Sequence, residues 1–160
     1  DDVPRFAQLG VVASTQPSHP PLAMDFPRDP WASMVGQARL PQAFSDRALR
    51  DAGVAMAYSS DWPITDINPM RGIQAAMTRP KLSPDCPDNR CSLQEALNAC
   101  TAGGAYAGFD EHRLGRLVPG LLADIVIMDH DLEALEAADL GQARAAMTIC
   151  DGQITYQRNS

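Results

Sequence analysis

The chain has 160 residues, of which 45% are hydrophobic, enough for one hydrophobic core of ordinary size. Its formal net charge of -7 disfavours a nucleic acid or an anionic membrane as the main partner, because both require clustered Lys and Arg. No apolar run approaches the roughly 20 residues that span a bilayer. We therefore expect a small-molecule ligand or a protein partner, with no nucleic acid and no membrane.

The beginning of the sequence, Asp1-Asp2-Val3, has neither an initiator Met nor the pattern of a signal peptide, which indicates a processed or trimmed piece. Cys86 and Cys91 flank a polar loop and are spaced for a small disulfide, although free thiols are the default expectation. Cys100 and Cys150 lie in apolar patterns typical of a core. The cysteines do not settle the compartment, and a cytoplasmic location is our working expectation.

The first third of the chain predicts a helix, a buried strand and a loop, in that order. Residues 4–9 have the pattern of a helix that stops at Gly10, and residues 11–16 form a short apolar run that predicts a strand. The prolines at 17, 20 and 21 exclude a continued helix or central strand. The loop that follows holds His19 and Asp25.

A second strand is predicted after a helical region. Residues 31–52 have a helical pattern interrupted at Pro41, so we expect two helical pieces, the second capped by Ser45 and stopped by Gly53. Residues 54–59 are the next strand. The order strand, helix, strand is that of a right-handed crossover, which makes the two strands parallel.

The remaining elements carry local signals at their ends. Asn68-Pro69 leads into a helix that ends near Thr78, and Ser92 with Glu95 forms a capping box for another helix, which the glycines at 103 and 104 interrupt. Residues 123–128 predict an apolar strand. Residues 146–150 and 154–157 flank Asp151-Gly152, the strongest short signal for a β-hairpin, so antiparallel strands are expected here.

Asp61 is the leading candidate for a functional residue. It closely follows the apolar run 54–59, and in an eight-stranded α/β barrel the carboxyl ends of the strands face the active site. A carboxylate at that point is held where chemistry can use it. The alternative is structural: Asp61 opens an Asx-type turn before Pro63 and caps the next element.

Taken together, the segments resemble the C-terminal third of the amidohydrolase superfamily, with amidohydrolase family 3 as the closest branch. The motifs that carry the resemblance are collinear and cover nearly the whole chain: RFAQLGV at 5–11, STQPSH at 14–19, SSDWP at 59–63, NP at 68–69, IQAAMTR at 73–79, SLQEAL at 92–97, Thr101, GRLVPGLLADIVIMD at 115–129 and TICDG at 148–152.

The resemblance implies an α/β fold that is the C-terminal part of a metal-dependent TIM-barrel hydrolase. Residues 11–16 and 54–59 would be the seventh and eighth barrel strands, within a barrel portion at 1–110. Residues 111–160 would be the C-terminal part of a small β-sandwich formed from both chain ends. The implied reaction is the hydrolysis of non-peptide carbon-nitrogen bonds, as in amides or cyclic amides.

The same resemblance implies roles for three residues. Asp61 corresponds to the strand-eight aspartate, which binds the metal or accepts a proton from the attacking water and passes it to the leaving group. His19 follows the seventh strand and is expected near the substrate, although it could instead order a surface loop. Trp62 either walls the substrate pocket or covers the barrel rim. His112 and His130 are expected at the surface.

Several residues of the family pattern have no counterpart, because on this resemblance the chain begins after strand six. They are the His-x-His pair of strand one, the Lys or Glu bridge near strand four and the histidines of strands five and six. A catalytic zinc normally takes three protein ligands, which Asp61 alone does not supply. We expect the parent enzyme to use a divalent metal, zinc by preference, and this chain alone to bind none, to be inactive and to self-associate. The alternative is a noncatalytic binding or oligomerisation module derived from the fold.

Overall fold

The computed structural model of the protein describes residues 2–24, 26–29 and 31–159, so Asp25 lies outside the described residues. The described chain is a mixed α/β structure with a two-stranded sheet in its first half and a three-stranded sheet in its second. This confirms an α/β chain.

The first sheet consists of two parallel strands. β1 (Ala13–Thr15) follows helix α1 (Val3–Leu9), which ends at Gly10 with a left-handed φ of 66°. β2 (Met56–Tyr58) pairs with β1 so that Ala13 lies opposite Met56 and Thr15 opposite Tyr58. The predicted parallel pairing is confirmed, and both strands therefore end at the same edge of the sheet.

Residues 31–52 form three helical pieces instead of the predicted two. They are α2 (Trp31–Val35), a 3₁₀ helix (Gln37–Gln42) and α3 (Asp46–Asp51). Gly36 separates the first two with a φ of 86°, and Pro41 lies inside the 3₁₀ helix. The predicted interruption at Pro41 was therefore misplaced, because a 3₁₀ helix of this length accommodates the missing N–H while the positive φ at Gly36 ends α2.

Helix α4 (Pro69–Thr78) connects the first sheet with the last part of the chain. The Asn68 side chain accepts a hydrogen bond from the backbone N–H of Met70 and caps the helix. Its apolar face, which includes Met70 and Ile73, packs with Leu140 of a second 3₁₀ helix (Ala137–Gln142). Leu140 is 1% exposed, and burying a side chain of this size is worth about 1.5–3 kcal/mol.

A buried ion pair fixes the helices around the first sheet. The Arg79 guanidinium, at the end of α4, lies 3.2 Å from the Asp46 carboxylate of α3. Arg79 also donates to the backbone carbonyl of Asn89 at 2.6 Å. Burial raises the pKa of Asp46 despite the attraction of Arg79, so this pair costs desolvation energy while it ties three segments together.

Helices α5 (Leu93–Cys100) and α6 (Ala102–Ala107) follow, and the capping box of Ser92 and Glu95 is confirmed. The break between them was predicted at the glycine pair 103–104, and this was wrong: it lies at Thr101, whose φ of -115° and ψ of -87° leave the helical region. Gly103 lies inside α6, where it allows a close approach to β2.

The second sheet has the order β3-β4-β5, all antiparallel, which confirms the prediction for this region. Its strands are β3 (Ile125–Met128), β4 (Ala145–Cys150) and β5 (Gln153–Gln157). Asp151 and Gly152 join the last two with φ values of 48° and 75°, the left-handed conformations of a type I′ turn.

All four cysteines are free, so the disulfide between Cys86 and Cys91 does not form. Cys86 is buried, whereas Cys150 is exposed at the end of β4, and the expectation of a core position for Cys150 was wrong. An apolar strand residue faces solvent here because β4 lies in a sheet that is only partly covered. Among the described residues, no helix combines the length and apolar character needed to cross a membrane.

Candidate functional site

The candidate site lies at the edge where β1 and β2 both end. Because the strands are parallel, the segments that follow them start side by side. The Gln16 side-chain amide donates to the Ser59 hydroxyl at 3.0 Å and joins the two segments directly. His19 and Asp61 follow these two residues. The fold therefore brings together two side chains that are 42 positions apart in the sequence.

Asp61 has the backbone of a turn residue but keeps its carboxylate out of the turn. Its φ is 54°, a left-handed conformation that Asp tolerates better than most residues, and its carbonyl accepts from the N–H of Ile64 at 2.8 Å. An Asx turn would need an N–H at position 63, which is proline. The side chain is 57% exposed and remains accessible to a ligand.

His19 lies beside this carboxylate. Its Nε2 atom is 3.9 Å from Oδ2 of Asp61, which is too long for a hydrogen bond. The Nε2 atom is buried and has no hydrogen-bond partner within the described part of the chain. A buried polar atom without a hydrogen-bond partner costs about 1–3 kcal/mol. A ligand that hydrogen-bonds to Nε2 would remove this cost.

The position of the His19 ring is set by its neighbours. The backbone N–H of His19 donates to the carbonyl of Gln16 at 3.1 Å, which forms a turn directly after β1. The Phe26 ring packs edge-on against the imidazole, with centroids 5.6 Å apart. The side chain is 24% exposed. These contacts keep the imidazole largely out of open solvent. Its place near the substrate stays a prediction.

Trp62 lies on the outer side of the site and is 66% exposed. It lines a groove of about 450 Å³, which we call the apolar groove. The residues that line the groove come from the loop after β1, the loop after β2 and the first turn of α4: Met24, Phe26, Trp62, Pro63, Ile64, Thr65, Asp66, Ile67 and Arg71. The structure therefore places Trp62 in a groove wall, while His19 and Asp61 lie beside the groove.

The donor set for a metal is incomplete in the described residues. They contain no group of three or more His, Cys, Asp or Glu side chains arranged to hold a metal ion. Asp61 is accessible and His19 has an unsatisfied ring nitrogen nearby, so the two fit as a share of a metal or substrate site. The remaining ligands of such a site would lie outside the described residues.

Sequence reasoning did not single out Gln16 and Ser59 as site residues, nor Phe26 as the support of His19. Gln16 and Ser59 are the first residues after two strands that were predicted parallel, so this position was a usable signal. Phe26 lies in a loop without regular structure, and nothing in its local sequence indicates the contact. His112 and His130 lie at the surface, as expected; His130 pairs with Asp129 at 2.7 Å.

A second polar cluster lies around Tyr58, the last residue of β2. Arg50 donates a hydrogen bond to the Tyr58 hydroxyl, and its guanidinium lies 5.2 Å from the centroid of the same ring. The Tyr58 hydroxyl contacts the Cys91 sulfur at 3.7 Å. Burial raises the pKa of both Tyr58 and Cys91, so both stay protonated at neutral pH.

Comparison with known proteins decides the family. The model of the amidohydrolase family matches residues 1–156. The chain belongs to the amidohydrolase family. This confirms the resemblance based on the collinear motifs.

Individual relatives agree with this assignment. The amidohydrolase chain is 41% identical over 128 residues to the protein LONG AFTER FAR-RED 3 of Arabidopsis thaliana, covering 78% of this chain and 21% of that protein. It is 29% identical over 163 residues to YtcJ of Bacillus subtilis, which is described as an amidohydrolase, covering 98% of this chain and 30% of YtcJ. The amidohydrolase chain thus spans less than a third of the length of either relative.

A solved structure agrees with the fold. An uncharacterized metal-dependent hydrolase from Pyrococcus furiosus superposes on this amidohydrolase chain with a TM-score of 0.61 at 30% identity. The match covers 76% of this chain and 24% of that protein. The mixed α/β arrangement is therefore shared with a metal-dependent hydrolase over about a quarter of its length.

Proposed function

We propose that this chain forms the C-terminal part of a metal-dependent hydrolase that cleaves non-peptide carbon-nitrogen bonds, such as those of amides or cyclic amides. The observation that carries the proposal is the position of Asp61. Its exposed carboxylate lies at the shared end of two parallel strands, 3.9 Å from the Nε2 atom of His19. Membership of the amidohydrolase family supports the reaction class.

On this proposal, β1 and β2 are the seventh and eighth strands of a TIM barrel, and β3 to β5 belong to a small β-sandwich. The carboxyl ends of TIM-barrel strands carry the catalytic residues, which is where Asp61 lies. The division into a barrel portion at 1–110 and a sandwich portion at 111–160 is part of the same proposal. The contact between α4 and Leu140 would then join the two portions.

The chemistry assigned to this chain is the handling of a proton by Asp61. A divalent metal, zinc by preference, would polarise the scissile carbonyl and acidify water in the complete site. Asp61 contributes one carboxylate ligand or accepts the proton of the attacking water at a carboxylate oxygen and then donates it to the leaving nitrogen. His19 lies close enough to hold a polar group of the substrate beside Asp61, and Trp62 walls the substrate pocket.

The function is tested with a longer protein that contains this chain. A panel of N-substituted amides and cyclic amides is incubated with the purified protein before and after removal of metal by a chelator. We expect hydrolysis of at least one class, loss of hydrolysis on chelation and recovery on addition of zinc. Absence of hydrolysis across both classes in metal-loaded protein would contradict the proposal.

The 160-residue chain by itself is expected to hydrolyse none of these substrates. The described residues offer fewer than the three protein ligands of a catalytic zinc site. Assay of the isolated chain with added zinc checks this expectation. Turnover by the isolated chain comparable to that of the longer protein would show that the site is complete without further residues.

A second candidate function is a noncatalytic oligomerisation module. The observation that favours it is the second sheet, whose strand β5 has Ile154 and Tyr156 two residues apart and 59% and 48% exposed. Apolar side chains grouped in this way mark a surface that another protein segment covers. A hydrolytically silent longer protein that nevertheless assembles through this sheet would favour this candidate.

A further inference from the structure

Six of the nine residues that line the apolar groove are apolar. Met24 and Phe26 come from the loop after β1, and Trp62, Ile64 and Ile67 come from the loop after β2. Trp62, Ile64 and Ile67 are 66%, 59% and 68% exposed. Large apolar side chains grouped in a concave surface are typical of ligand pockets, and about 450 Å³ is within the usual range of pocket volumes.

The groove adjoins the site of the proposed reaction, although neither Asp61 nor His19 lines it. Trp62 is the residue directly after Asp61, and Phe26 contacts the His19 ring at a centroid distance of 5.6 Å. A ligand that presents one group to Asp61 and His19 can therefore extend into the groove past Trp62 and Phe26. This position indicates that the groove holds the part of the substrate next to the reacting bond.

The charged residues of the groove wall balance each other. The Arg71 guanidinium lies 2.9 Å from the Asp66 carboxylate, and Asp66 also accepts from the backbone N–H of Asn68 at 2.9 Å. These contacts lower the pKa of Asp66, so it remains an anion that compensates Arg71 at neutral pH. The wall thus carries no net charge from this pair, and a charged substituent would gain little by entering.

We propose that the apolar groove binds a bulky, uncharged aromatic or branched aliphatic substituent on the substrate amide, next to the carbon-nitrogen bond. Trp62 and Phe26 offer ring faces and edges, and Ile64 and Ile67 offer aliphatic contact. The inference rests on the proposed function, since it is the position of Asp61 that orients the substrate. It makes the groove the determinant of which amides are accepted.

Binding to the chain itself tests the proposal independently of turnover. The probe is N-(2-phenylethyl)acetamide, and N-methylacetamide is the matched small amide. The readout is the indole N–H resonance of Trp62 in a nuclear magnetic resonance titration. Trp31 is the internal control, because it does not line the groove. Its ring packs on the Phe44 ring, with centroids 5.2 Å apart. A Trp31→Phe variant assigns the two signals.

We expect the phenylethyl probe to shift the Trp62 signal, to leave the Trp31 signal in place, and to bind about tenfold more tightly than N-methylacetamide, because its ring is buried in the groove. Ile64→Ser should weaken binding of the phenylethyl probe about fivefold. Leu117→Ser is the control, since Leu117 is an exposed aliphatic residue, at 68% against 59% for Ile64, and does not line the groove. This control should bind as the unsubstituted chain does.

Equal affinity for the two amides, or equal movement of both indole signals, would overturn the inference. An equal effect of Ile64→Ser and Leu117→Ser would overturn it as well. The outcome is separable from the proposed function: binding at Trp62 combined with no hydrolysis by the longer protein would leave the groove assignment standing and remove the reaction. Hydrolysis by the longer protein without preference for bulky amides would leave the proposed reaction standing and remove the groove assignment.

Discussion

The backbone conformation of Asp61 and the proline at position 63 together leave the Asp61 carboxylate exposed. An aspartate tolerates the left-handed backbone at the strand end, and the proline two positions later has no N–H for the carboxylate to bind. The carboxylate is therefore left for a ligand. The sequence puts this residue forward as a candidate because it follows an apolar run, and its role in catalysis stays a prediction. The neighbouring imidazole of His19 could not be ranked from sequence, because its place depends on the pairing of β1 with β2 and on Phe26.

A second carboxylate, Asp129, has a purely structural role. It follows β3 and accepts a hydrogen bond from the backbone N–H of Arg144 at 2.8 Å. It also contacts His130 at 2.7 Å and Arg158 at 2.8 Å. The Arg144 N–H first, and then the two side chains, hold the pKa of Asp129 well below its ordinary value of 3.8. Its anionic form therefore ties three segments of the second sheet together.

We predict that Asp129→Asn lowers the stability of the chain at neutral pH and flattens its dependence on acid pH. A carboxylate with a depressed pKa contributes stability above its ordinary pKa of 3.8 and loses it as the pH falls through the depressed value. Urea unfolding of both chains at neutral pH and at a series of pH values below 4 measures the difference, which should shrink as the pH falls.

Asp85→Asn is the control for this prediction, because Asp85 lies exposed in the loop before Cys86. It should leave the urea midpoint unchanged at neutral pH. A difference between Asp129→Asn and the unsubstituted chain that is constant over the whole acid range would contradict the assigned electrostatic role.

At the scale of elements, local signals predicted the start of α5 and the hairpin between β4 and β5. The Ser92 and Glu95 capping box and the Asp151-Gly152 turn each involve neighbouring residues only, so the sequence contains the whole signal. The break at Thr101 and the 3₁₀ helix that packs Leu140 on α4 depend on contacts with distant segments. Periodicity could not reveal them.

The wrong prediction for the glycine pair has a clear physical reason. Gly103 is in α6 because the helix passes directly over β2: a Cβ atom added at Gly103 would lie 2.0 Å from the carbonyl oxygen of Met56. A Cβ atom added at Gly104 would have nothing within 4 Å. One glycine is required by close packing and its neighbour is not, a difference that no local pattern contains.

We therefore predict opposite effects for two adjacent substitutions. Gly103→Ala should destabilise the chain by at least about 1–3 kcal/mol, because backbone at β2 has to move. Gly104→Ala should stabilise α6 by about 0.5–1 kcal/mol, the usual gain from replacing a helical glycine. Urea midpoints of the two variants provide the comparison. Equal midpoints would contradict the close contact between α6 and β2.

At the scale of the whole molecule, the two sheets have unequal cover. The strands of the first sheet contribute to a buried cluster of Ala13, Val54, Met56 and Ala99, whereas every residue of β5 is exposed. β5 also forms the outer edge of its sheet, with unpaired backbone groups on one side. An exposed edge strand with apolar side chains is a surface for pairing with another chain.

We predict that the 160-residue chain self-associates through this sheet. Ile154→Lys combined with Tyr156→Lys should shift the chain toward monomer, because a charge at each position opposes burial against a second copy. Sedimentation velocity over a dilution series measures the distribution. Met34→Lys, at a residue of α2 that is 82% exposed, is the control and should leave the distribution unchanged.

A chain that stays monomeric at every concentration would contradict this prediction. An equal response to the β5 pair and to Met34→Lys would show that net charge, and not the sheet, determines the association. Either result would also weaken the candidate role as an oligomerisation module.

The central claim is that Asp61 is a catalytic carboxylate of a carbon-nitrogen hydrolase, and the most direct test is the turnover of Asp61→Asn in the longer protein that contains this chain. Asparagine keeps the size of the side chain and removes the charge and the basic oxygen. Turnover of the amide that the unsubstituted protein hydrolyses should fall by about 10²–10⁴-fold, while Asp85→Asn retains full turnover. Turnover of Asp61→Asn equal to that of Asp85→Asn would contradict the account.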